Sequence, residues 1–414
     1  MTAADSHPGE IPVLELDPTG RDHHGEATRL RHLGPVVRII LPGGLPAFAV
    51  TTHELVDQLI KDRRVSKDWR NWTHHEELTE DNPIFGMVKV TNMVTADDHE
   101  HHRLRRLVTK TLTKRRVDEL QPHITKIVGN LLDNLPTHAA SDGSVDLRQH
   151  FAVQVPMRVI CELIGVPEPW RPQLRNLVDS LFRTNTSREE ISATQRGKDQ
   201  LLHQLIDLRT DQPGQDLTSA LIRAREQDPE TLSEKELADT LWLMVTAGHE
   251  TTLNLITNAV RALLTHPDQR TLTLAGDVTW AAVVEETLRW DAPIGNFLAR
   301  YPREDITIAG VTIPAGQAIL APYTAVGRDP AQHGTTADHF DINREPTKHL
   351  AFSGGPHICL GAPLARLEAT IALRELFTRY PNLELAVAAE NLIPVPSLFS
   401  NSVQTLAAQL GPTA

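Results

Sequence analysis

The stretch Phe352-Ser353-Gly354-Gly355-Pro356-His357-Ile358-Cys359-Leu360-Gly361 sets one cysteine in a glycine-rich loop. The loop runs straight into a helix, because Leu360, Leu364, Leu367 and Ile371 recur on one helical face. Cys359 therefore falls at or just before a helix N-terminus, where unpaired backbone N–H groups and the positive end of the dipole favour a thiolate. Such a thiolate serves as a nucleophile or as a metal ligand. The competing reading is a small buried hydrophobe beside an ordinary turn. Gly355 and Gly361 favour the ligand, since glycines on both sides allow positive φ and let a large flat group approach without Cβ clashes.

A second stretch carries chemistry of another kind. Ser233 and Glu236 form a capping box ahead of an apolar-rich run that ends near Thr265, before Pro267. At 1.5 Å per residue this helix would be roughly 50 Å long. Its middle reads Ala247-Gly248-His249-Glu250-Thr251-Thr252, residues poorly suited to a helix interior and so selected for something other than helix formation. Small Ala247 and Gly248 admit a ligand closely, and Glu250 with Thr251 can handle protons. The alternative is a local kink in which threonine hydroxyls bond back to the preceding turn. A zinc-protease reading of His249-Glu250 fails because Leu253 stands where the second histidine is needed.

The run His99-Glu100-His101-His102-Arg103-Leu104-Arg105-Arg106 lacks that zinc spacing too, and suits anions at least as well. On a helix His101 and Arg105 share a face. Arg103 and Arg106 read equally as a solvated basic face.

The 414 residues, 40% of them hydrophobic, allow a large core, and no linker, repeat or low-complexity tract divides them. A single domain over residues 1–414 is expected, with residues 1–30 irregular. A net charge of −12 disfavours nucleic acid as a partner. No apolar run approaches the ~20 residues that span a bilayer, so no membrane association is expected and a soluble, cytoplasmic protein is. Cys161 and Cys359 make no disulfide framework, and Cys161 sits in an apolar core segment. Two short apolar runs around Pro42-Gly43-Gly44 predict a hairpin between Val36 and Val50. Thr51 and Glu54 predict a capped helix beyond it. Ser66 to Thr95 is long and irregular yet rich in Trp69, Trp72, Ile84, Phe85, Met87 and Val88, which cover a pocket or simply pin the loop.

The pattern Phe-x-x-Gly-x-His-x-Cys-x-Gly, filled by Phe352, Gly355, His357, Cys359 and Gly361, resembles the haem-ligand loop of cytochromes P450. The Ala247–Thr252 run resembles the distal helix of that family, and the resemblance extends from Val36 to the C-terminus. It implies the P450 fold, mainly α with a smaller β region, and haem b held by His101, Arg105, Ala247, Gly248, Arg300, Phe352, Gly355, His357 and Gly361. It makes Cys359 the axial ligand of the haem iron, Glu250 a proton relay and Thr251 a hydrogen-bond donor on the distal side. Glu286, Arg289 and Arg344 match the buried Glu-x-x-Arg and later arginine of the family, and are read as structural braces of the cysteine loop. Pocket positions follow at Phe85, Met87, Val88, Phe182, Met244, Ile294, Phe297, Leu298, Leu398 and Phe399, with mobile lid helices between Trp170 and Leu208.

The implied activity is insertion of one oxygen atom of O2 into a C–H bond of a hydrophobic small molecule of steroid, macrolide or other polyketide type. Electrons would come from NAD(P)H through an external ferredoxin reductase and ferredoxin, since no flavin or iron–sulfur segment is present. Two other classes fit parts of the chain: a haem-binding sensor without turnover, and a thiol hydrolase using Cys359 and His357.

Overall fold

The computed structural model describes residues 13–110, 112–228, 232–345 and 347–412, with the backbone alone of Leu298. Hydrophobic residues spread from Leu16 to Ala408 pack into one contiguous core. The expected irregular stretch through residue 30 gives way, beyond residues 1–12, which lie outside the described residues, to regular structure. Strand β1 (Val13–Glu15) pairs in parallel with β2 (Val36–Leu41). Helix α1 (His23–Leu33) opens at Asp22, whose carboxylate accepts the Gly25 N–H at 2.7 Å, and buries Ala27 and Leu30. That apolar face is what the sequence reading passed over.

The hairpin between Val36 and Val50 is present. Leu41 of β2 faces Leu45 of β3 (Leu45–Val50), and Gly43 and Gly44 take φ +87° and +77° to close the turn. The following helix α2 (His53–Leu59) does not use the expected Thr51–Glu54 box. Thr52 is its N-cap without a side-chain bond, and the Thr51 hydroxyl donates instead to the Gly34 carbonyl at 2.8 Å. Strand β4 (Val65–Ser66) pairs with β5 (Asn296–Pro302), which pairs in turn with β6 (Ala318–Pro322). The sheet order is β1-β2-β3-β6-β5-β4.

Helices form the rest of the body. α3 (Asp98–Thr109), α4 (Gln121–Asn134), α5 (Gln154–Ile164), α6 (Arg171–Phe182) and α7 (Arg188–Asp211) precede α8 (Glu234–Thr265), which crosses the molecule. The capping box of α8 is complete: the Glu236 N–H donates to Ser233 Oγ at 3.2 Å and the Ser233 N–H to the Glu236 carboxylate at 2.8 Å. Its 32 residues are buried on most sides, and Gly248 lets it approach α5, since a Cβ there would meet Ile160 at 3.0 Å. α9 (Trp280–Trp290) and α10 (Ala362–Arg379) pack against it and against each other. Among the described residues no helix is long and apolar enough to cross a membrane.

Candidate active site

The cysteine loop closes on itself through the Cys359 N–H, which donates to the Phe352 carbonyl at 2.9 Å. Gly355 has φ +61°, and a Cβ there would lie 2.6 Å from the Ile60 carbonyl. The turn and the end of α2 therefore require a glycine there. Gly361, expected to take positive φ, has φ −82° and is the N-cap of α10. The N–H groups of Gly361 and Ala362 reach Cys359 Sγ. The Cys359 side chain is accessible although the chain surrounds it, because it faces an internal cavity. Burial pushes its thiol up, against the pull of those two N–H groups and of the Arg105 and Arg366 guanidiniums. Burial thus works against the thiolate that the helix terminus favours. A metal ion at Sγ would displace the proton.

The cavity lies between this loop and α8. Phe352, Cys359, Leu360 and Gly361 form one wall; Met244, Ala247, Gly248 and Thr251 form the other. Cationic side chains gather at its edge. Arg105 donates to the Ile358 carbonyl at 2.7 Å, and Arg300 donates from Nη2 to Ser353 Oγ at 3.1 Å. Arg300 Nη1 and His101 Nε2 are buried without a hydrogen-bond partner. The His101 ring lies 4.2 Å from the His357 ring, tilted against it, and burial, then His357 and Arg105, push its pKa down to about 4. His357 Nε2 lies 3.8 Å from the Asp97 carboxylate. With its ring turned to His101 and Asp97, His357 does not serve as a base for Cys359, which removes the support for a thiol hydrolase. Buried donors left unmet are uncommon, and Arg300 lines the cavity, where its free Nη1 can meet an anionic group.

A second chamber adjoins the first. Met87, Val88, Phe182, Ile294, Phe297 and Phe399 line it, and Met244 lines the lower cavity. Two expected pocket residues stand elsewhere. Phe85 is half-buried outside the lining with the Lys89 ammonium 5.6 Å from its ring, because the short helix Phe85–Val88 turns Met87 and Val88 inward instead. Leu398 is fully buried in the core, its carbonyl accepting from Asn296 Nδ2 at 3.0 Å. The side chain of Leu298 lies outside the described residues. Trp72, by contrast, pins the long loop by stacking on Tyr301 at 5.9 Å. Sequence reading missed Lys67, Trp242, Leu243, Thr246, Asn296 and Tyr301 as lining residues. Leu243 was within reach, since it lies on the same i, i+4 stripe as Ala247 and Thr251.

Glu250 and Thr251 point in different directions. Thr251 lines both chambers, and its hydroxyl donates back to the Ala247 carbonyl at 2.6 Å. The Glu250 carboxylate is turned away from them. It accepts from Asn254 Nδ2 at 2.9 Å and Ser400 Oγ at 3.0 Å, and burial raises its pKa against the opposing pull of Arg148.

Behind the loop, Arg289 and Glu286 are fully buried and paired through two hydrogen bonds of 2.8 and 2.7 Å. Arg289 also donates to the carbonyls of Gly327, Ala337 and His339, and Arg344 Nε lies 3.5 Å from Glu286. This network ties α9 to residues 327–344 rather than to the cysteine loop itself. The direct tie was missed: Glu285 accepts from Arg366 of α10 at 2.6 and 2.9 Å and lies 3.1 Å from His349, and the Arg366 guanidinium covers the Phe352 ring at 4.6 Å.

These parts, a cysteine facing a cavity beneath a long helix with a cationic edge, have the layout that the cytochrome P450 resemblance implies. Comparison with known proteins agrees. The chain matches the family Cytochrome P450 over residues 19–166, 171–271 and 280–390. It is 39% identical over 380 residues to 2-hydroxy-5-methyl-1-naphthoate 7-hydroxylase of Streptomyces carzinostaticus, covering 91% of this chain and 92% of that one. It is 38% identical over 389 residues to Vitamin D(3) 25-hydroxylase of Pseudonocardia autotrophica, covering 94% of each. The solved structure of testerone-bound CYP154C4 from a Streptomyces species superposes with TM-score 0.94 at 40% identity, over 98% of this chain and 100% of that one. The chain belongs to the cytochrome P450 family. It is a P450 monooxygenase of the bacterial type, and haem b is its cofactor. The unpartnered donors of Arg300 and His101, the cavity and the accessible Sγ all fit that group.

Proposed function

We propose that Cys359 is the axial ligand and that Arg105, Arg300, His101 and His357 hold the haem propionates, in an enzyme that hydroxylates rigid hydrophobic ring systems. The observation that carries the reading is the opposition of Cys359 and Thr251 across one cavity whose edge holds the unmet Nη1 donor of Arg300. Bound haem supplies the oxidising chemistry, its reactivity raised by thiolate ligation. The chain's own residues do the rest. Met87, Phe182, Phe297 and Phe399 exclude water and orient the substrate. Thr251 Oγ1 presents a hydroxyl to the reaction space once released from the Ala247 carbonyl. Glu250 lies in a buried site one residue away, where burial raises its proton affinity and Asn254 and Ser400 fix its position.

The named relatives act on a naphthoate and on vitamin D(3), and the apolar second chamber suits molecules of that fused-ring kind. Spectral titration with a panel of steroids, macrolides and aromatic polyketides tests this. Saturable shifts with steroids or polyketides are expected; their absence across the panel would contradict the substrate class. For the proton relay, Glu250→Gln is expected to lower product formation by about 10²-fold or more while electron consumption continues and diverts to hydrogen peroxide. Undiminished coupling in that variant would remove Glu250 from the relay.

Electrons are proposed to arrive from a ferredoxin docking on the face where the helix Lys114–Glu119 packs beside α10. Lys114, Arg115 and Arg366 there are offset by Asp118, Glu119 and Glu285. Lys110 and Arg116 are the more effective handles. Reversing both to glutamate is expected to raise the ferredoxin concentration for half-maximal turnover about tenfold at low salt. No change would place the docking site elsewhere.

A further inference from the structure

His249 stands one residue before Glu250 on α8 and is 0% exposed, yet neither of its ring nitrogens has a hydrogen-bond partner. Burial, then Arg175 and Arg148, push its pKa down to about 3, so the imidazole is neutral. One ring nitrogen, a carboxylate oxygen of Glu250 and one of Asp179 on α6 all lie within 4.8 Å of one another. None of these three residues lines either chamber. The outer member, Asp179, keeps 27% of its side chain exposed and has Arg175 Nε 3.6 Å away. The inner member is tied down: Asn254 Nδ2 donates to Glu250 at 2.9 Å, and Arg148 Nη1 donates to Asn254 Oδ1 at 2.8 Å.

An imidazole that bonds to neither carboxylate directly, yet lies this close to both, has the spacing of groups that share one water. Partners of a water at about 2.8 Å stand roughly 4.6 Å apart when tetrahedrally placed. Buried polar groups without a protein partner are commonly met in this way. A divalent cation fits less well. Its bonds of about 2 Å would need the ligands drawn together, and the guanidiniums of Arg148 and Arg175 already act on His249 and Asp179.

We infer that His249, Asp179 and Glu250 hold a water that resupplies Glu250 with protons from the solvent side of α6, with His249 as the residue that positions it. The inference rests on the reading of Glu250 as a proton relay. Asp179 takes a proton from bulk water and gives it to the bridging water, which passes one of its own to the Glu250 carboxylate. One O–H bond breaks and one forms at each transfer. Asp179 returns to carboxylate, Glu250 becomes the acid and the water is regenerated. His249 stays neutral, bonded to the water through one ring nitrogen.

The test compares haem-loaded wild type, Asp179→Asn, His249→Phe, His249→Gln, His249→Asn and Glu250→Gln, each supplied with a redox chain and the steroid or polyketide that the wild type converts fastest. Three quantities are read: the product rate, the share of electrons lost to hydrogen peroxide, and the ratio of product rates in light and heavy water. Carbon monoxide spectra and substrate dissociation constants at wild-type values establish that each variant keeps its haem site. Asp179→Asn and His249→Phe are expected to lower the product rate about tenfold, with more peroxide and a larger isotope ratio. An amide reaches the place of either ring nitrogen, so His249→Gln for Nε2 or His249→Asn for Nδ1 recovers most of the loss. Wild-type coupling and isotope ratio in Asp179→Asn and His249→Phe, beside an impaired Glu250→Gln, would overturn the inference and leave the Glu250 relay standing. A slower rate at unchanged coupling and isotope ratio would overturn it too, since a purely structural role acts that way. A fully coupled Glu250→Gln would overturn the relay itself, and this inference with it.

Discussion

Cys359→Ser is expected to fold, to keep the parent's helical circular dichroism and to form no product. The side chain faces a cavity rather than the core, so its loss leaves no packing defect, and serine preserves the Phe352-to-Cys359 backbone bond that closes the loop. What is lost is the thiolate, whose electron donation the chemistry depends on. Product analysis after reconstitution with hemin and a redox chain checks it. Turnover at a measurable fraction of the parent rate would mean that Cys359 is not the ligand that drives the reaction.

The second large effect is on stability. Glu286→Gln removes the carboxylate that holds Arg289 in a fully buried pair and also accepts the Asp341 N–H at 2.8 Å. Leaving a buried guanidinium without its counter-charge costs about 3–5 kcal/mol, a large share of a domain's stability. A lower urea midpoint in the haem-free and haem-loaded forms is expected. Because the network reaches residues 327–344 and only indirectly the cysteine loop, haem loss should follow unfolding rather than precede it. An unchanged midpoint would show that the pair contributes nothing net. Haem loss from a fully folded variant would show instead that it acts on the loop directly.

What the sequence makes legible is local chemistry at fixed spacing. The cysteine loop, the capping box of α8 and the glycine turn after β2 are all written within ten or so neighbouring residues and form where expected, though Gly361 lacks the positive φ and Glu250 turns away from Thr251. Function-bearing positions that depend on long-range packing were not legible. Lys67 reaches the cavity because β4 pairs with β5, far away in the chain. Glu285 meets Arg366 only after α9 packs on α10. Phe85 and Leu398 have the apolar character of pocket residues but are turned outward or into the core, a choice made by helix phase and by the bonds of neighbouring backbone. The Thr51–Glu54 box failed for a related reason: the Gly34 carbonyl, brought near by β2 and β3, competes for the threonine hydroxyl.

The central claim, that Cys359 ligates a haem iron as a thiolate, is tested most directly by the absorption spectrum of the dithionite-reduced, haem-loaded protein under carbon monoxide. A strongly red-shifted Soret band, characteristic of thiolate ligation, is the predicted result. A band at the position seen with histidine or no thiolate ligand, in protein that retains its haem, would contradict it.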